Sequence, residues 1–484
     1  MLERLKEYNE ILFKKNYNIN LLRWELMLES PPKVKDYLIN LINELQIELF
    51  KLGTSSEYKK LLEDYLNSNE VDKNTDFYRV TLNNYRTLIK NERIPEEFLK
   101  RYNEVCSKAN IVWKDAKEKN DYELFKPYLK QVIDVTRQFF TYYNPELSLY
   151  DAMLDYHEAG MHQAELDSLF DELKVELIPL IQRVKKDSYP EKNYLRNYST
   201  DELKECAKVL LEYIGVDMEG LSLGIYPHGF MNKLVNNDVR IAFSKTDDPT
   251  SFVSTIIHEG GHSLFEQNTS EEIRNEAIEL YGLHESQSRF FENVLGRNIN
   301  FWIPIYDKVK EILKLDIPLE EFVKELNYVV PSLIRTEADE LTYCLHIIIR
   351  YEIEKAIFNN EISIDELPNV WNNKMKEYLG VEVSRDADGL MQDVHWSEGS
   401  FGYFPSYLIG NLYDGMYIEA IENNLGDIDT ILKEGRIKEI TKYLADNIYT
   451  HGSAYNGIEV INRLCGKDIS VKPLVEYFKK KYEV

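Results

Sequence analysis

The sequence predicts a mainly α-helical protein with one small β-sheet beside a histidine-bearing helix. Three observations carry the prediction. Apolar residues recur at three- and four-residue steps through most of the chain. Between residues 221 and 244 that pattern gives way to short apolar runs punctuated by Gly, Pro and Asn-Asn-Asp. Shortly after it, residues 256–267 read IIHEGGHSLFEQ, with His258 and His262 four apart and Glu259 beside the first.

The elements follow in order. LKEYNEILFKK, VKDYLINLINELQIELFKLG, YKKLLEDYL and YRVTLNNYRTLIKN each have a helical repeat, and Pro31, Pro32 and Pro95 open or break helices. Residues 96–143 repeat apolar positions throughout, and 164–186 form another amphipathic helix that Pro179 is expected to kink. SYPEKNYLRNYS at 188–199 reads as a loop, and a helix follows at 201–214. DVRIAF, 238–243, reads as a strand of the small sheet. Helices return at Pro249 and continue almost to the end. No repeat, low-complexity linker or Pro/Gly/Ser-rich hinge divides the chain. One domain over 1–484 is therefore expected rather than several modules.

Composition limits the function. Fifty-eight basic against 83 acidic residues give a net charge of −25, with no basic cluster of the kind a nucleic-acid surface needs. No run approaches the length of a membrane span; LHIIIRYEIEKAIF, 345–358, is the most apolar stretch and is interrupted by Arg350 and acids. The N-terminal stretch is charged and lacks an apolar signal core. Cys106, Cys206, Cys344 and Cys465 are far apart and suit reduced thiols better than a disulfide framework. A cytoplasmic protein is expected, without nucleic-acid or membrane partners.

Residues four apart in a helix share a face. His258 and His262 can then offer two ring nitrogens to one ion, while Glu259 projects about 100° away, toward the flank of such a site. This is the zincin arrangement, two histidine ligands and a glutamate general base. The metal lowers the pKa of a bound water to roughly 7 and polarises a scissile carbonyl, and Glu259 would carry the proton to the leaving amine. Asp248, Pro249, Thr250 and Ser251 supply a helix start. Gly260 and Gly261 together cost about 2 kcal/mol of helix propensity. Close approach of another backbone, or of substrate, is the expected compensation.

A zincin needs a third ligand. YGLHESQSRFFENVLG, 281–296, reads as a helix, and Glu285 is the natural candidate. His284 is adjacent but points elsewhere, and Glu279 is the alternative.

HEGGH at 258–262, HESQSR at 284–289, IRTEAD at 334–339 and GLMQDVHW at 389–396 stand in the order of the carboxypeptidase Taq family of metallopeptidases, which the chain resembles. DVRIA at 238–242, GYFPSYLIG at 402–410, SAYNGIEVINRLCG at 453–466 and RWELMLESPPK at 23–33 extend the resemblance over nearly the whole chain. It implies a large helical zincin-type peptidase with a deep active-site groove. Residues 1–200 would wall the groove, and 201–484 would carry the metal- and substrate-binding half. It implies removal of single residues from the C-termini of peptides, one Zn²⁺ per chain (Co²⁺ or Mn²⁺ also fit the donor set), and a homodimer.

Carried over residue by residue, His258, His262 and Glu285 are the metal ligands and Glu259 the general base. Arg335 takes the terminal carboxylate, for which a guanidinium fork is well suited; an ion pair with Asp339 on the same helix face is its structural alternative. Arg240 is a second substrate candidate, or a strand arginine paired with Asp238. His395 is a substrate or intermediate donor with Gln392 and Asp393 as its supports, and Tyr403 and Tyr407 are candidate oxyanion donors. The chain departs from the family pattern at Ala242, where a threonine is usual, at His228, which follows Pro227 instead of preceding a proline, and in a shorter connection between the metal helices. His157, His162, His346 and His451 read as surface or core histidines, and FFENVLG and LTYCLHIII as core stripes. An endopeptidase or dipeptidyl carboxypeptidase with the same metal site, and an inactive peptide-binding scaffold, are the competing readings.

Overall fold

Residues 2–192, 194–235, 237–273 and 280–482 are described by the computed structural model. The N-terminal quarter is helical: α1 (Leu2–Trp24), α2 (Lys35–Gly53), α3 (Ser56–Leu66) and α4 (Asp76–Asn91). Pro31 and Pro32 sit in the turn between α1 and α2, Pro32 opening a short 3₁₀ turn. Ser55 and Thr75 cap α3 and α4 by accepting from the N–H groups of Tyr58 and Tyr78.

The stretch 96–143 is two helices, α5 (Glu96–Lys119) and α6 (Tyr122–Tyr143). Asn120 takes the left-handed conformation that ends α5, and the Asp121 carboxylate caps α6 by accepting from Leu124 N–H. The apolar repeat continues through the break, which is why periodicity alone reads one stretch. α7 (Leu149–His157) and α8 (Gln163–Val184) follow, and α8 runs unbroken through Pro179. α9 (Thr200–Ile214) starts with a capping box between Ser199 and Glu202.

The sheet has three strands, β1 (Leu221–Ile225), β2 (Phe230–Val235) and β3 (Asp238–Phe243), in the order β1-β3-β2. β3 is central, parallel to β1 and antiparallel to β2, with Arg240 opposite Ser222 and Asn232. β2 and β3 pack on α10 (Pro249–Asn268). α11 (Tyr281–Arg289) crosses α10 and passes directly into a π-helical turn, Phe290–Leu295.

Among the later helices, α12 (Glu340–Phe358) is buried on nearly every side. A helix apolar all round belongs in the middle of a large core. α13 (Phe404–Leu425) is similarly enclosed and packs on α11. α14 (Lys472–Tyr482) lies against α13. One connected apolar core runs from Leu5 to Phe478. Among the described residues no helix is long and apolar enough to cross a membrane.

IRTEAD, which sequence reading puts on one helix face, is not helical in that sense. Arg335 lies in a 3₁₀ turn, Arg335–Glu337, and Asp339 is the N-cap of α12. Its carboxylate accepts from the N–H groups of Leu341, Thr342 and Val330 and from the Thr342 hydroxyl. With its oxygens so engaged, Asp339 is not the partner of Arg335.

Candidate metal centre and substrate groove

α10 presents the first two donors. The Asp248 carboxylate caps it by accepting from Thr250 N–H at 3.0 Å, with Pro249 in the first turn. Its apolar side, including Ile256, Ile257 and Leu264, is buried in the core. That anchoring turns His258 and His262 to the other side, with ring centroids 5.0 Å apart.

α11 brings the third donor. A Cβ on Gly261 would lie 2.5 Å from the carbonyl oxygen of Gln287 and 2.6 Å from the Cα of Ser288. Only a residue without Cβ lets the two helices meet this closely. A Cβ on Gly260 would lie 2.6 Å from Ile214 of α9. The helix propensity given up at both positions is thus offset by backbone approach and packing, not by a bulge in α10. The approach leaves Oε2 of Glu285 3.6 Å from Nε2 of His262. One donor atom each from His258, His262 and Glu285 lies within 4.8 Å of the others. Glu279, the alternative, lies outside the described residues.

The surroundings favour a cation. His258 Nδ1 lies 2.9 Å from Oε2 of Glu292, and because a carboxylate only accepts, the nitrogen is the donor, which leaves Nε2 for a ligand. Burial opposes a charge on His258, but the Glu292 hydrogen bond and the charges of Glu285, Glu292 and Glu259 push its pKa up to about 9. The same field that would hold a proton there attracts a metal ion. Burial keeps His262 well below the usual imidazole range, so it is neutral and able to ligate. Two imidazoles and a carboxylate fit Zn²⁺, Co²⁺ or Mn²⁺.

Glu259 is buried, and desolvation raises its carboxyl to about 7, against the pull of His258. It lines a groove of about 860 Å³ together with His262, Glu285 and Tyr403. Phe13, Asn84 and Thr87, from α1 and α4, line the same groove.

Arg335 is 7% exposed. Its Nε and one terminal nitrogen lie 3.0 and 2.9 Å from the same oxygen of Asp393, and its other terminal nitrogen donates to the Tyr343 hydroxyl at 3.2 Å. The second Asp393 oxygen accepts from Arg350 at 2.7 Å. The two arginines outweigh burial and hold Asp393 well below the usual carboxylate range. Gln392 accepts from the backbone N–H of Arg335 at 2.8 Å. Gln392 and Asp393, expected as supports of His395, are thus bonded to Arg335 instead.

His395 packs on Phe404 and Tyr403, with centroids 4.5 and 5.5 Å away, and its Nδ1 is buried without a hydrogen-bond partner. Tyr403 and Tyr407 stand edge to face at 5.2 Å, and the Arg335 guanidinium sits over the Tyr407 ring at 5.1 Å. Arg240 is held by Asp238 through two contacts of 2.9 Å and lies 5.7 Å from the Trp24 ring. His228, in the turn between β1 and β2, packs on Tyr226.

Sequence reading missed Glu292, Tyr343 and Arg350. The one signal for Glu292 is its place seven residues after Glu285, on the same helix face. Arg350 is visible only as a charge in an otherwise apolar helix, and Tyr343 has no signal of its own among 34 tyrosines.

Comparison with known proteins shows the family of the chain. Residues 3–482 match the family model described as carboxypeptidase Taq (M32) metallopeptidase. The chain is 37% identical over 492 residues to carboxypeptidase 1 of Bacillus subtilis, covering 100% of this chain and 96% of that protein. It is 36% identical over 407 residues to thermostable carboxypeptidase 1 of Thermus thermophilus, covering 80% of each. The crystal structure of the M32 carboxypeptidase from Deinococcus radiodurans superposes with a TM-score of 0.94 at 27% identity, covering 99% of this chain and 98% of that one.

Proposed function

The chain belongs to the carboxypeptidase Taq (M32) family and is a metallocarboxypeptidase, and from that membership we propose how its residues divide the work. One divalent ion per chain, Zn²⁺ by preference, is held by His258, His262 and Glu285. The observation that carries this is the convergence of their three donor atoms within 4.8 Å beside a groove that also contains Glu259. When bound, the ion polarises the scissile carbonyl and brings the acidity of the attacking water toward neutrality.

The chain's own residues do the rest. Glu259 takes a proton from the attacking water and delivers it to the leaving amine. Without the ion, burial raises its carboxyl to about 7; a group that must both accept and release a proton works best with its pKa near the working pH. Arg335 grips the terminal carboxylate of the peptide, held for that purpose by Asp393 and Tyr343. His395, Tyr403 and Tyr407 surround that position and supply donors to the oxyanion as charge develops. Arg240 ranks second as a substrate contact: both Asp238 oxygens engage it, and it lies beside the Trp24 ring.

The substrates are peptides with a free C-terminus, running along the groove that the first 200 residues wall. A single domain suits the unbroken core. Work in the cytoplasm fits the four free cysteines, and a homodimer follows from the resemblance. The test is mass spectrometry of a mixed peptide pool incubated with zinc-loaded protein. Products shortened by one C-terminal residue are expected; internal cleavage, or loss of dipeptides, would refute the exopeptidase assignment. Light scattering checks the dimer.

A further inference from the structure

The unusual element beside the metal ligands is the π turn. After Arg289 the helix widens, and Gly296 N–H donates to the carbonyl of Phe291, five residues back, at 2.7 Å. Such wide turns are rare and concentrate at functional sites. This one carries Glu292, whose oxygens are divided between two partners. Oε2 accepts from Nδ1 of His258 at 2.9 Å, and Oε1 lies 3.5 Å from the guanidinium of Arg297.

The turn is braced from the far end of the chain. The hydroxyl of Tyr477, on α14, donates to the carbonyl of Asn293 at 3.0 Å, with the carboxylate of Glu340 3.2 Å away as a second acceptor. Lys481 donates to the Tyr477 hydroxyl at 3.0 Å and is ion-paired with Glu340, to which the Tyr482 hydroxyl also donates at 2.6 Å. Glu340, in the first turn of α12, is 3% exposed. The cluster ties the C-terminal helix to the core at one point and to the residue after Glu292 at another.

We propose that Glu292 is a positioning residue for His258, and that the C-terminal helix sets Glu292 through the Tyr477–Asn293 hydrogen bond. The proposal rests on the reading of His258 as a metal ligand. A carboxylate behind a ligating imidazole fixes its tautomer and ring orientation and increases its basicity. The new link is that the carboxylate here rides on a turn whose carbonyl is held by a helix 184 residues away in sequence.

The experiment measures zinc affinity of the full-length protein by competition with a chromogenic chelator, alongside the melting temperature of the metal-free protein. Glu292→Ala should weaken zinc binding by about 10- to 100-fold. Glu292→Gln keeps an acceptor oxygen for Nδ1 and should lose less. Tyr477→Phe removes one hydroxyl and should weaken zinc by roughly 2- to 10-fold, the equivalent of one ordinary hydrogen bond. Adding it to Glu292→Ala should cost nothing more, because both act through the same imidazole. If Tyr477→Phe lowers the melting temperature yet binds zinc like wild type, α14 is a structural prop and the link is wrong. Undiminished affinity in both Glu292 variants overturns the positioning role. His258→Ala separates the two readings: should it bind zinc as wild type does, the metal-site reading fails; should it lose zinc while the Glu292 and Tyr477 variants keep it, only this inference fails.

Discussion

Arg335 offers the sharpest test of exopeptidase polarity. A guanidinium has five N–H groups. Nε donates to Asp393, one terminal nitrogen lies 2.9 Å from the same oxygen as an ion-pair contact, and the other terminal nitrogen donates to Tyr343. That leaves at least one N–H on each terminal nitrogen, and two such groups can grip a carboxylate in parallel. A hydrogen bond to a charged group contributes about 1.5–3 kcal/mol. Removing both in Arg335→Ala should therefore cost about 3 kcal/mol or more of transition-state binding, about 150-fold or more in kcat/KM. Amidating the peptide's C-terminus leaves one acceptor oxygen and no charge, so wild type should lose about 1.5–3 kcal/mol, or roughly 10- to 150-fold. The two losses share one interaction and should not add. The assay is kcat/KM for a matched pair of free and amidated peptides on wild type, Arg335→Ala and Arg335→Lys. The lysine enzyme should remain defective because a point charge cannot reproduce the fork. If amidation costs Arg335→Ala as much as wild type, Arg335 serves only to hold Asp393 and Arg350, and Arg240→Ala becomes the next variant to measure.

Other outcomes follow from the same geometry. His258→Ala, His262→Ala and Glu285→Ala should each lose most bound metal, read by elemental analysis after zinc loading and desalting; full occupancy in the Glu285 variant would remove it from the ligand set. Glu259→Gln should keep the metal and still bind peptide, while turnover falls by about 100-fold or more; substantial residual turnover would mean another group moves the proton. Gly261→Ala should destabilise by about 1–3 kcal/mol, because its Cβ meets backbone that cannot rotate away. It should also weaken zinc binding, since separating α10 from α11 draws Glu285 off His262; a melting temperature and affinity equal to wild type would show that the helix contact is not needed.

What could be read from the sequence, and what could not, divides along a physical line. His258, Glu259 and His262 were legible because one helical turn fixes their relation, so spacing alone aligns them. Glu285 was legible as a donor on the next helix; its closeness to His262 depends on Gly261 meeting the Gln287–Ser288 backbone, which the sequence showed only as a demand, two costly glycines with no visible recompense. Local patterns misled where a side chain's partner lies far along the chain. Asp339 is four residues from Arg335 and looked like its partner, yet it caps α12, while Asp393, fifty-eight residues on, takes the guanidinium. FFENVLG reads as a core stripe, and Phe290, Phe291, Val294 and Leu295 are indeed buried. Glu292 lies within that stripe and faces His258, because the stripe's wide turn aims it there rather than toward solvent. The donors of the site are therefore set locally, while their orientation comes from Glu292, Asp393 and Tyr343, residues that only the packed core brings together. It follows that substitutions at Glu292 and Tyr343 should change affinity and specificity constants while leaving HEGGH, HESQSR, IRTEAD and GLMQDVHW intact.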